Sequence, residues 1–127
     1  MTNHDEASQN ERRRSDRIKK NFILTYYNKA DPSHKYEITQ LKNIGMGGMC
    51  FITSKPYAPG TILGIDLKTP YLSDTTHLEG RVLESHEKVK NIIYETRVQF
   101  LELDREAEFI LARLIDFFIN GGKGLYE

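Results

Sequence analysis

Residues 91–122 read NIIYETRVQFLELDREAEFILARLIDFFINGG, and the pattern changes part-way along. From Asp104 the apolar positions Ala107, Ile110, Leu111, Leu114, Ile115 and Phe118 recur at offsets of three and four, which puts them on one face of an α-helix. Asp104 suits the N-cap, Glu106 and Glu108 suit the positive end of the helix dipole, and Asn120-Gly121-Gly122 ends the run. A helix is therefore predicted over residues 104–119. Phe117 and Ile119 widen its apolar stripe, so it must pack on something. Residues 91–101, before it, read as a strand.

Working back towards the N-terminus, the chain is a series of short extended runs divided by turn signals. Residues 22–28, FILTYYN, are β-branched and aromatic and are followed by Asp31-Pro32-Ser33. Residues 36–44 form a second run, ending at the glycines of GMGG. Residues 49–53 alternate Met49 and Phe51 against Cys50 and Ile52, and are closed by Lys55-Pro56 and Pro59-Gly60. Residues 61–68 and 78–84 follow, with a polar turn over 86–90 before the last strand. Six strands at this spacing suit a small barrel or sandwich. The fold predicted is all-β with a C-terminal helix: a six-stranded antiparallel β-barrel.

The 127 residues suffice for a single core, and 39% of them are hydrophobic. No apolar run approaches the length of a membrane helix, and residues 1–9 are polar without an apolar stretch behind them. A cytoplasmic location and no membrane insertion are the default expectations. Cys50, the single cysteine, rules out an internal disulfide and makes no zinc site alone. The net charge of zero hides an asymmetry, because residues 12–20, RRRSDRIKK, carry six of the eighteen basic side chains. Such an arm on a balanced domain meets phosphate, or simply keeps a tail solvated. Residues 1–11 are expected to be a disordered tail, 12–20 a basic ligand-binding arm, 22–101 the barrel and 121–127 a second tail.

Two short patterns carry the chemistry. Arg13 and Arg17 stand four apart before the first strand, and Asn43-Ile44-Gly45-Met46-Gly47-Gly48 joins the second and third. A guanidinium is a planar fork of donors that grips a phosphate or the O6/N7 edge of guanine, and its face stacks on bases. A glycine-rich turn exposes backbone N–H groups and lets a ligand approach the main chain. Taken singly, RxxxR is common and a glycine turn is usually just a tight connection.

In combination and order the two resemble the signatures of the PilZ domain, RxxxR before the first strand and [D/N]xSxxG at the second-to-third strand connection. Arg13 and Arg17 match the first; Asn43 and Gly48 match the ends of the second. Residues 56–67, PYAPGTILGIDL, and Val98-Gln99-Phe100 are similar to the family as well. The resemblance spans about residues 11–119 and implies a PilZ-like domain over 12–120 with a six-stranded barrel and C-terminal helix. It also implies a receptor for cyclic di-GMP, not an enzyme, acting in bacterial second-messenger signalling without a further cofactor. The ligand-binding residues it implies are Arg12, Arg13, Arg17, Asn43, Gly45 and Gly48. Arg12 extends the first motif to RRxxxR, which in the family goes with a stacked ligand dimer. Ligand would order the arm over the barrel, and a downstream effector protein would read the change.

Gly45 departs from the pattern by standing where the family has serine. Losing that hydroxyl removes one neutral hydrogen bond, about 0.5–1.5 kcal/mol, which weakens binding without abolishing it. Two alternatives therefore stay open beside the receptor: a PilZ-like protein-interaction module with weak or no ligand binding, and a small barrel whose basic arm binds nucleic acid, the less favoured of the two.

Other signals point to no chemistry. His4, His34, His77 and His86 lack metal-ligand spacing with one another. Ser85-His86-Glu87 is no triad, since neighbouring strand residues face opposite ways. Gly121-Gly122-Lys123-Gly124 lacks the frame of a phosphate loop. Cys50, between Met49 and Phe51, is expected in the core or barrel wall.

Overall fold

The computed structural model describes residues 22–68 and 75–120. Among the described residues seven strands precede a helix: β1 (Ile23–Asn28), β2 (Lys35–Glu37), β3 (Leu41–Ile44), β4 (Gly48–Thr53), β5 (Ile62–Lys68), β6 (Thr76–Val89), β7 (Ile93–Phe100) and α1 (Arg105–Asn120). They form one curled antiparallel sheet, a half-barrel, in the order β2-β1-β5-β6-β7-β4-β3.

The expected six strands are seven because the run over residues 36–44 divides. Its first part pairs with β1, through Tyr26↔Tyr36, and its last part pairs with β4, through Ile44↔Met49. The crossing residues are held at both sides. Ile38 N–H donates to Leu24 O at 2.8 Å, and Gln40 O accepts from Ile52 N–H at 3.0 Å. One continuous stretch of backbone therefore supplies both edges of the sheet.

The β6–β7 hairpin also departs from expectation. Strand β6 continues through His86, Glu87, Lys88 and Val89, and the turn falls at residues 90–92. Beyond Glu84 nearly all of β6 is exposed, so polar side chains cost nothing there. Cross-strand contacts hold it: Tyr94 Oη–H donates to Glu87 Oε2 at 3.3 Å and Lys88 Nζ lies 3.3 Å from Glu95 Oε2. Asn91 takes the left-handed conformation (φ 61°) that the turn requires, a conformation asparagine tolerates better than most residues.

The core lies between the concave sheet face and α1. Leu24, Tyr26, Phe51, Leu63, Ile65, Leu67, Val82 and Val98 point inward and meet Ala107, Ile110, Leu111, Leu114 and Phe117 of the helix. Phe117, the last buried residue of the helix, packs edge-on against Phe22 with ring centroids 5.3 Å apart. Ile115 and Phe118, expected on that face, are half-buried at its margins, and Ile119 is exposed. Asp104 caps the helix as expected. Its Oδ1 accepts from Ala107 N–H at 2.7 Å, which contributes about 1 kcal/mol.

Three hydroxyls, those of buried Thr53 and Thr96 and half-buried Ser85, join the sheet to residues 53–57. Thr53 Oγ1–H donates to Lys55 O (2.8 Å), so Thr96 must donate to Thr53 (2.9 Å) and Ser85 to Thr96 (2.6 Å). Ser85 Oγ then accepts from Tyr57 N–H at 3.0 Å. Every hydroxyl donates once and accepts once, which is how Thr53 and Thr96 are buried among apolar neighbours without an unsatisfied group.

Candidate functional site

The β3–β4 hairpin carries the turn. Ile44 and Met49 are paired and buried, so the neighbouring pair Asn43 and Cys50 faces the convex side of the sheet. A register shift between Leu41 and Asn43 sets that phase. Gly45 N–H donates to Gly48 O at 2.9 Å to close the turn, and Gly47 O accepts from Phe100 N–H at 2.8 Å, tying the turn to the end of β7. Met46 stands exposed at the tip.

The three turn positions have different physical grounds. Asn43 is exposed and its side chain is available. A Cβ on Gly45 would meet nothing within 4 Å, and its φ is not left-handed, so this position tolerates a side chain. At Gly48 a Cβ would stand 2.2 Å from Val98 O, so glycine is required there by the close approach of β4 to β7. Arg12, Arg13 and Arg17 lie outside the described residues. The chain reaches Phe22 at the end of the sheet that holds the glycine turn. The start of β1 adjoins the end of β5 (Ile23↔Lys68), the start of β6 adjoins it in turn (Leu67↔Thr76), and the end of β7 adjoins the start of β4 (Gly48↔Gln99).

Pairing also brings up residues that the motifs did not contain. Two rows cross the convex face, Asn43–Cys50–Arg97–Glu84 and Gly48–Gln99–Arg81. Along β4 the floor consists of small residues, Gly48 and Cys50, flanked by Asn43 on one side and by Arg97 and Gln99 on the other. With strands about 4.8 Å apart, the flanks stand about 10 Å from each other, enough for a planar base or a phosphodiester. Arg97 Nε lies 3.6 Å from Glu84 Oε1, and both side chains are more than half exposed. Burial raises the pKa of the Cys50 thiol, with nearby Glu95 adding to the effect, so this floor residue is a neutral thiol. The alternation of Arg97 and Gln99 with buried Val98 and Phe100 was readable as an outward-facing pair. Their placement beside Gly48 required the strand pairing.

The sequence profile of the PilZ domain matches residues 11–117. The chain belongs to the PilZ domain family. The matched range takes in the arm with Arg12, Arg13 and Arg17 as well as the turn with Asn43, Gly45 and Gly48. Among solved structures, this PilZ domain is similar to the Bacillus subtilis inhibitor of motility (MotI/DgrA), with a TM-score of 0.55, 13% identity, and coverage of 84% of this chain and 49% of that one. It is likewise similar to K. pneumonia MrkH in its apo state, with a TM-score of 0.56, 16% identity, and coverage of 83% of this chain and 49% of that one. The PilZ chain thus spans about half the length of these two relatives, and at such identities the likeness is one of fold. A comparison with curated protein sequences gives no match. Among the described residues of the PilZ domain, no helix is long and apolar enough to cross a membrane.

Proposed function

We propose that this PilZ domain is a receptor for cyclic di-GMP, which the arginines of the arm close against the convex wall beside the glycine turn. The supporting observation is the placement of Asn43 and the small-residue floor at the end of the sheet where the arm joins β1. Arg13 and Arg17, with Arg12 beside them, would grip phosphates and guanine edges, while Asn43 and the turn would receive the ligand from the wall. The role is signalling rather than catalysis: ligand fixes the arm, which carries a dense positive charge and no apolar face, and an effector reads the altered surface. Fixing the arm costs conformational entropy, so affinity falls below what the contacts alone suggest. With one ligand site per chain and Arg12 available, a stacked pair of ligands is the fuller form of the complex.

Titration calorimetry of the whole chain with cyclic di-GMP tests this and reports affinity and stoichiometry together. Binding far tighter than that of GMP or GTP is expected, with Arg13→Ala and Arg17→Ala each weakening it by about 1.5–3 kcal/mol. An affinity equal to that for GMP overturns the proposal in favour of an interaction module that works without ligand.

A further inference from the structure

The convex wall carries a charge pair that the family motifs do not use. Arg81 on β6 lies opposite Gln99, and Arg97 is two residues from Gln99 on β7, so the two arginines are diagonal neighbours on adjacent strands. Such positions stand about 7–8 Å apart at Cα, within reach of one anion for side chains as long as arginine. Both are exposed and face away from the core, since Val82 and Val98 between them point inward. Their supply of counter-charge is thin. Among the described residues Arg97 has only the exposed ion pair with Glu84 at 3.6 Å, a class of pair that contributes little in water. Arg81 makes no ion pair among the described residues, and Glu79, nearest along its own strand face, is taken by Lys29.

The glycine turn gives this pair its meaning. Gly48 lies directly opposite Gln99, and no side chain at Gly48 separates the turn from the amide. Gln99 stands opposite Arg81 and two residues from Arg97, beside a floor of the small residues Gly48 and Cys50. Two guanidinium forks with an amide on the same face suit a phosphate, each fork offering paired N–H donors to oxyanions.

We propose that Arg81, Gln99 and Arg97 form a phosphodiester subsite on the barrel wall, gripping the ligand from the side opposite the arm. This rests on the receptor reading above and deepens it, by giving the dinucleotide a cationic clamp on both faces. It also offers a compensation for Gly45. A charge-assisted contact from Arg97 is stronger than the neutral bond that a serine hydroxyl would make. Glu84 competes with the ligand for Arg97, so ligand phosphate displaces a weak surface pair at little cost.

The test is calorimetry with cyclic di-GMP on the full chain and on Arg97→Ala, Arg81→Ala, the double variant and Lys90→Ala. The last removes an equal charge from the hairpin tip, away from the wall. Arg97→Ala is expected to weaken binding about tenfold or more, and Arg81→Ala about threefold to tenfold, with melting temperatures unchanged because both side chains are exposed. Lys90→Ala should leave affinity as it is. Wild-type affinity in both arginine variants, tighter binding by Arg97→Ala, or an equal loss in Lys90→Ala would each overturn the subsite while leaving the receptor reading in place. A wild-type chain that binds cyclic di-GMP no better than GMP removes the receptor reading and the subsite with it.

Discussion

The backbone of Gly48 runs so close to Val98 that a Cβ at this position would stand 2.2 Å from the Val98 carbonyl oxygen. The obstacle is main chain at the end of the β4–β7 ladder, which no rotamer change can move aside. Gly48→Ala should therefore push β4 off β7 and lower stability by about 1–3 kcal/mol. Thermal melting checks it, and an unchanged midpoint would mean that the ladder has slack. A loss of ligand affinity in this variant is a folding effect first.

Gly45 has the opposite character, with open space around it and no left-handed backbone. Gly45→Ser should melt at the wild-type temperature and bind cyclic di-GMP about threefold to tenfold more tightly, by one neutral hydrogen bond. Unaltered affinity at unaltered stability would place the missing hydroxyl's work on another group.

The buried hydroxyl chain gives a third expectation. Thr96 is fully buried and both accepts from Ser85 and donates to Thr53. Thr96→Val keeps the shape and leaves two hydroxyls short of a partner. It should cost about 1–3 kcal/mol, read by denaturant unfolding. A double variant Thr53→Val, Thr96→Val should recover part of that loss, since it removes both members of one bond. Equal or greater destabilisation would mean that Lys55 O, left without its donor, dominates.

Cys50 should react slowly with thiol reagents. Its side chain is buried and its pKa is raised by that burial, then by Glu95. The folded thiol stays protonated where a free cysteine ionises, at about pH 8.5 and above, so labelling there should lag well behind that of the unfolded chain. The sign for stability follows. The unfolded chain loses its proton first as pH rises, so the contribution of this group is complete below about pH 8.5 and declines above it. Because Cys50 floors the proposed ligand site, saturating cyclic di-GMP should slow labelling further; equal rates with and without ligand would place the dinucleotide elsewhere.

The helix was legible because its apolar stripe and Asp104 cap are local signals, and the strands were legible from their alternation and turns. The division into β2 and β3 was not, since nothing in residues 36–44 resembles a turn; the break appears only when two different partner strands compete for one run. Strand β6 was read short because the polar run His86-Glu87-Lys88 resembles a loop when its pairing with β7 is unknown. At the site, Asn43, Gly45 and Gly48 were found by pattern, but the reason for Gly48 lies in a carbonyl fifty residues away in sequence. Arg81 and Arg97 were ordinary surface charges until the register placed them beside it.

Because β2 and β3 are consecutive pieces of one run, the sheet's two borders amount to three and four residues joined end to end. Borders are where a sheet recruits foreign strands and begins to aggregate. Here the same short span works as a clasp: Leu24 holds one side through Ile38 and Ile52 holds the other through Gln40. A protease cut at Thr39 would release both borders together, turning a fold with little templating surface into one with two raw seams, and precipitation of the nicked protein would follow from that geometry.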